Sequence, residues 1–264
     1  MILTSKERYE WACRYYAAWL GIPPEEFSHA RGVKLYANPA RAQKISVIAK
    51  PLPFYAIRME DALLMACVPQ WESRLRAQVA GRDIPGAMEA LETLFGDQLR
   101  KGLSHWLGQL NEAIDTTEAA ALTQEDFPAY LEFMQAAHDR QEEEFLRRGL
   151  PEYFRGLAEQ RKCFGVWRDG KLASVADGPE QPYLPEVITD PGIVTLPEYR
   201  GRGYASAVCA ALLRRQLDAG MVPIWSCAAD NAASVALARK LGFQPFCRRY
   251  NVRGEVDSFD ITKP

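Results

Sequence analysis

The sequence predicts an α/β fold in which a mixed sheet is flanked by helices, and three observations carry that expectation. The first is a hairpin: Cys163-Phe164-Gly165-Val166-Trp167 and Leu172-Ala173-Ser174-Val175-Ala176 enclose Arg168-Asp169-Gly170-Lys171. Asp-Gly suits a two-residue turn whose central positions need positive φ. The second is a short β-branched run, Ile193-Val194-Thr195-Leu196, followed by a Gly/Arg turn and a helix whose apolar positions Ala205, Val208, Cys209, Leu212, Leu213 and Leu217 share one face. Arg214, Arg215 and Gln216 lie mostly outside that face, so the helix is amphipathic and expected to pack on a sheet. The third is a strand at Ile224-Trp225-Ser226-Cys227, a helix opening at Asp230-Asn231-Ala232-Ala233-Ser234, and a closure at Lys240-Leu241-Gly242-Phe243, with Gly242 at the left-handed end and Phe243 starting a last strand.

Thr4 with Glu7 makes a capping box, and Trp11, Tyr15, Ala18 and Trp19 recur at helical spacing until Gly21 and Pro23-Pro24 stop the helix. Such an aromatic row serves burial first, with a substrate pocket as its other use. Between 44 and 69, the runs Ile45-Ser46-Val47-Ile48-Ala49, Phe54-Tyr55-Ala56-Ile57 and Leu63-Leu64-Met65-Ala66-Cys67-Val68 are broken by prolines and predict short strands or a hairpin. Helical patterns are expected from about 71 to 110. Thr116 to Leu122 offers a short strand, Thr123-Gln124-Glu125-Asp126 a helix start, and Phe127, Tyr130, Leu131 and Met134 a helical face. Glu142-Glu143-Glu144 and Arg147-Arg148 then predict a charged, solvated helix face. The expected division is an amino-terminal mixed α/β domain at 1–115 and a second domain at 116–264.

Composition narrows the class. The chain has 264 residues, 48% hydrophobic and 25% charged, with a formal net charge of −2, as expected of a soluble globular protein of one large domain or two small ones. That charge, with no extended basic patch, argues against nucleic acid and anionic lipid as partners. Cys13, Cys67, Cys163, Cys209, Cys227 and Cys247 are scattered, with no CxxC pair or zinc-ligand spacing, so they are expected as free thiols in a reducing compartment and no metal is expected. No run approaches the roughly 20 apolar residues of a membrane span, and the first residues lack a secretion signal's apolar core, which together predict a cytoplasmic protein.

The chemistry concentrates at Arg200-Gly201-Arg202-Gly203-Tyr204-Ala205. Two glycines let an anion approach the main chain, the first helical N–H groups point at it, and Arg200 and Arg202 add charge. No lysine follows at the spacing a nucleoside-triphosphate loop requires, so the ligand is expected to be a phosphate-bearing group other than ATP.

This turn and the second block resemble the GNAT superfamily of N-acetyltransferases. The family's loop pattern is met by Arg200, Gly203 and Ala205, and its second pattern by Asn231, Ser234 and Leu241-Gly242-Phe243. The resemblance covers roughly 116 to 264 and implies a mostly antiparallel mixed sheet, acetyl-CoA as acyl donor, and a primary amine of a small molecule or peptide as acceptor. It also implies that the amides near Gly201, Arg202, Gly203, Tyr204 and Ala205 hold the pyrophosphate, and that Val194, Thr195 and Leu196 pair with the pantetheine arm. Asn231 and Ser234 are then both helix-capping residues and cofactor contacts. Candidate bases are Glu186 and Asp190, with Glu186 slightly favoured because Asp190-Pro191-Gly192 is also a turn signal. Ala238 stands where many relatives have a tyrosine that protonates the departing thiolate, leaving Cys227, Ser234 or water for that task, or a thiolate that departs unassisted. Beside the acetyltransferase stand a catalytically silent acyl-CoA-binding module, a phosphate-binding structural domain, and for the amino-terminal part a degenerate copy of the second half, a lid over the cleft, or a homodimer interface.

Overall fold

The computed structural model describes residues 3–45, 50–137, 149–259 and 261. Ser46-Val47-Ile48-Ala49 and the charged run at Glu142-Glu143-Glu144 and Arg147-Arg148 lie outside the described residues.

The first helix, α1 (Ser5–Leu20), opens on the expected Thr4–Glu7 capping box and closes on Gly21 at φ 73°. It buries Ala12, Tyr15, Tyr16, Trp19 and Leu20, so the aromatic row does serve the core. Arg8 is buried as well and donates from Nε to the Leu107 carbonyl at 2.9 Å and from Nη2 to the Gly108 carbonyl, pinning the helix to the sheet beneath. After α2 (Pro24–Ser28) come β1 (Gly32–Ala37), the short pair β2 (Lys44–Ile45) and β3 (Lys50–Pro51), and β4 (Phe54–Arg58) with β5 (Ala62–Cys67), which form the expected antiparallel hairpin.

Helices α3 (Glu72–Val79) and α4 (Ile84–Phe95) follow as predicted, but the expectation of helix through residue 110 is corrected: Arg100–Leu107 is a strand, β6. Tertiary pairing decides its conformation, because β6 is hydrogen-bonded on both edges and Gly102 sits where an added Cβ would lie 3.1 Å from the Cys227 carbonyl oxygen. The remaining elements are β7 (Ala119–Ala121), α5 (Phe127–Ala137), α6 (Leu150–Glu159), β8 (Cys163–Arg168), β9 (Lys171–Asp177), β10 (Ile188–Thr189), β11 (Gly192–Thr195), α7 (Tyr204–Asp218), β12 (Val222–Ala228), α8 (Ala232–Leu241) and β13 (Phe243–Val252). The β8–β9 turn has Asp169 at φ 50° and Gly170 at φ 76°, the geometry its sequence predicts.

The architecture is the expected mixed, mostly antiparallel sheet flanked by helices, in two main parts. A seven-stranded sheet runs β1-β5-β4-β13-β6-β12-β10, and a four-stranded sheet runs β11-β9-β8-β7. The β1–β5 and β10–β12 pairs are parallel, and the other pairs in these two sheets are antiparallel. Helix α1 covers one face of the larger sheet, with Tyr55, Ile57, Leu64, Ile188, Val222, Ile224 and Cys247 beneath it. Helices α3 and α4 cover the other face around Phe54, Leu63 and Met65. The smaller sheet lies between α7 on one side and α5 with α6 on the other. The residue-116 division falls where the chain leaves the larger sheet for the smaller one, while β6, from before it, lies between β12 and β13, from after it. All six cysteines are free, and all but the half-buried Cys227 are buried.

Gly242 closes α8 at φ 103°, and an added Cβ would stand 1.8 Å from the Gln109 carbonyl oxygen. Gly242→Ala is therefore expected to lower unfolding free energy by more than about 3 kcal/mol, read from the midpoint of urea denaturation at constant slope.

Candidate active site

The site begins where one line of chain changes sheet. Ile188 and Thr189 pair in parallel with Val222 and Pro223 of β12, while Gly192 to Thr195 pair antiparallel with Asp177 to Ser174 of β9. Between them stand Asp190 and Pro191, and proline has no N–H with which to continue a ladder. The backbone of β11 thus leaves β12 and opens a fork. At its apex the Ser226 amide of β12, which would otherwise lose its partner, donates to Asp190 Oδ1 at 3.0 Å. Burial raises the Asp190 carboxyl above its ordinary pKa, against the opposing hydrogen bonds from Ser226 and the charge of Arg249.

One arm of the fork turns main-chain groups toward the gap. The Leu196 amide donates to Ala173 O at 3.1 Å and Val194 O accepts from Ser174 Oγ at 3.2 Å, so the groups of 194 and 196 face β9. By the alternation of an antiparallel ladder, the N–H and C=O groups of Ile193 and Thr195 face the fork. The Thr195 carbonyl there accepts from Arg200 Nε at 3.2 Å.

The fork's arm ends at the predicted anion turn. Gly201 and Gly203 have φ 77° and 86°, and an added Cβ at either position meets nothing within 4 Å, so the turn faces open space. Gly203 caps α7 with no side-chain hydrogen bond, and the amides of Tyr204, Ala205 and Ser206 meet no acceptor among the described residues. A cleft of about 380 Å³ adjoins the turn, with Arg202 and Lys240 as its cations and Asp115 and Glu118 as its acids. Glu118 is paired with Arg168, whose guanidinium lies 4.3 Å over the Tyr204 ring and donates to its hydroxyl at 2.7 Å. That cluster fixes the first residue of α7.

The other predicted residues are distributed as follows. Asn231 caps α8, its Oδ1 accepting from the Ser234 amide at 3.0 Å, and Ser234 Oγ accepts from the Trp225 indole at 2.9 Å. Burial raises the pKa of the Cys227 thiol, which lies beside Ser234 on the second arm of the fork. Glu186 is exposed in the turn before β10. Ala238 is fully buried in the core between α7 and α8. Arg249 was missed by sequence reasoning, although its place in the alternation Cys247-x-Arg249-x-Asn251 puts a charge on a strand face whose other members point inward. Among the described residues no group of three His, Cys, Asp or Glu side chains is placed to hold a metal, and no helix is long and apolar enough to cross a membrane.

This geometry is a split sheet with an open, glycine-bearing turn at the end of one arm. Residues 188–252, which include the apex, the turn and α8, match the family model of the GNAT acetyltransferases. Over 52 residues the chain is 46% identical to "Uncharacterized N-acetyltransferase YdfB" of Bacillus subtilis (strain 168), a match that spans 20% of each protein. Among solved structures it is similar to a GNAT-family acetyltransferase from Colwellia psychrerythraea, with 22% identity, TM-score 0.48, and 59% of this chain and 56% of that one covered. It is also similar to a GCN5-related N-acetyltransferase-like protein from Streptococcus suis 89/1591, with 18% identity, TM-score 0.41, and 91% and 98% covered.

The raised Asp190 pKa sets a pH dependence. The protonated carboxyl suits the folded state better, so its contribution is complete below the ordinary carboxylate pKa and is lost as pH rises through the higher folded value. Asp190→Asn keeps an acceptor for the Ser226 amide without the charge. Denaturant titrations from pH 4 to pH 8 are expected to show the Asn variant gaining stability relative to the parent as pH rises.

Proposed function

We propose that the chain is an acetyl-CoA-dependent N-acetyltransferase that transfers the acetyl group to a primary amine by direct attack on the thioester. The observation that carries this reading is the fork: a carboxylate desolvated at its apex, main-chain groups facing the gap along one arm, and an open anion turn at the end of that arm. Acetyl-CoA would supply an acyl group activated as a thioester and a diphosphate to anchor it. The amides of Tyr204, Ala205 and Ser206, the flexible glycines of the turn and the charge of Arg202 suit that diphosphate. Ile193 and Thr195 present N–H and C=O groups that suit an added amide-bearing arm and a developing oxyanion.

Asp190 takes the proton. An alkylammonium has a pKa near 10.4, so the amine must be deprotonated before it attacks, and a carboxylate whose own pKa is raised is a better base than an ordinary one. Nitrogen then bonds to the acyl carbon, the carbon–sulfur bond breaks, and the thiolate is protonated. Cys227, held protonated at neutral pH by burial, and the neighbouring Ser234 are the groups for that last step. Asp190 replaces Glu186 as the preferred base because it stands at the apex, whereas Glu186 is exposed in the turn before it. Asn231 acts on the ligand by fixing the start of α8.

On this reading residues 116–264 bind the donor, residues 1–115 complete the acceptor side, and the protein works in the cytoplasm on a small amine or a peptide amine. The second reading, a silent acyl-CoA-binding module, is favoured by one observation: Ala238 puts no phenol on α8.

Amine-dependent release of free thiol from acetyl-CoA separates the two, and only the enzyme releases it. Asp190→Asn is expected to lower kcat about 100-fold or more while acetyl-CoA affinity stays within roughly twofold. Gly203→Asp, which places negative charge at the turn where no atom lies within 4 Å of the added Cβ, at the local backbone strain of φ 86°, is expected to weaken CoA binding at least about tenfold in calorimetry, with the circular-dichroism spectrum unchanged.

A further inference from the structure

Beneath α1 lies a cluster of buried polar groups that acetyl transfer as described leaves unused. Arg41, only 1% exposed, lies 5.5 Å from the Trp19 ring centroid and 5.9 Å from that of Tyr55. Its Nη2 donates to the Tyr183 hydroxyl at 2.7 Å, while Nε and Nη1 are buried without a partner. Arg249 reaches the same core from β13: it stands opposite Ile57 of β4, Asn251 stands opposite Tyr55, and both β4 residues pack under α1. Its Nη2 donates to Leu103 O at 3.3 Å and its Nε has no partner. The Tyr16 and Tyr55 hydroxyls and Asn251 Oδ1 are likewise buried and unpartnered.

Both guanidinium groups remain charged at any physiological pH. Among the described residues neither has a carboxylate within 4.0 Å. Asp190 is the acid whose charge acts on Arg249 and on Tyr15. Tyr183 and Tyr55 are the groups that act on Arg41, Asp190 is the one acid that acts on the half-buried Arg249, and three guanidinium nitrogens of the two side chains are left without acceptors. Water can supply hydrogen bonds there but no countercharge, and such a cluster is costly unless an anion completes it.

We infer that the acetyl acceptor is an amine that also carries a carboxylate, an amino-acid-like compound, whose carboxylate binds between Arg41 and Arg249 while its nitrogen faces Asp190. A carboxylate is flat and small and suits the planar forks of two guanidinium groups. The loop at 178–187 is the way in. Its Gln181 accepts from the Tyr15 hydroxyl at 3.1 Å, its Tyr183 holds Arg41, and Gln181 and Pro182 also border a solvent-open cleft of about 920 Å³. The fate of the amine rests on the acetyltransferase reading, but carboxylate binding does not.

The test is calorimetric binding to the CoA-saturated protein of matched pairs, each protein amino acid against the amine left when its carboxylate is removed. At least one amino acid is expected to bind about tenfold or more tightly than its decarboxylated partner. Arg41→Gln and Arg249→Gln should each erase the difference, and Arg249→Lys, which keeps charge but loses the fork, should restore part of it. If every pair binds alike, or the decarboxylated members bind better, the cluster holds only water and the inference is overturned. Should a variant fail to fold, the matched pairs on the parent protein decide. Thiol release with carboxylate-free amines alone would overturn this inference and keep the transferase, whereas tight amino-acid binding without thiol release would do the reverse.

Discussion

The structure turns on how a sheet can split without leaving main-chain groups stranded. Two parallel strands that diverge must each find new partners for their facing N–H and C=O groups, because an unpaired buried amide costs about as much as a lost hydrogen bond. Here Pro191 removes one donor from the problem, and Asp190 lends its side chain to the Ser226 amide. The same carboxylate is thereby desolvated and set at the narrow end of the gap. One residue solves a structural problem and has its carboxyl pKa raised in doing so.

What surrounds the fork keeps it open and aimed. On one side α7 packs across the smaller sheet, and Gly203 starts it with amides free and no side-chain cap. On the other side β12 is held in register by β6, which comes from the first 115 residues, and α1 covers the face that carries Ile188, Val222 and Ile224. The amino-terminal residues are thus part of the wall of the fork, and their aromatic side chains surround the two arginines.

Local signals made much of this legible in the sequence. The Asp169-Gly170 turn, the Thr4–Glu7 box, the Asn231 cap and the left-handed Gly242 are each fixed by a few neighbouring residues, and the structure has them as read. Gly201 and Gly203 were equally legible, since their positive φ is a property of the turn itself. Strand β6 was not, because its conformation is set by β12 and β13, more than a hundred residues downstream. For the same reason the burial that raises the Asp190 carboxyl was not legible, because it is set by the fold, with Ser226 of β12 and Arg249 of β13 acting against it. Arg41 and Arg249, 208 positions apart, come to the same core around Tyr55 only through the fold.

The most direct measurement of the central claim is a crystal structure of the protein with CoA bound. The account predicts the diphosphate on the amides of Tyr204, Ala205 and Ser206, the pantetheine arm along Ile193 and Thr195, and the sulfur between β11 and β12 facing Asp190. A diphosphate seated away from Gly203, or a chain of density that avoids the gap between those strands, would contradict it.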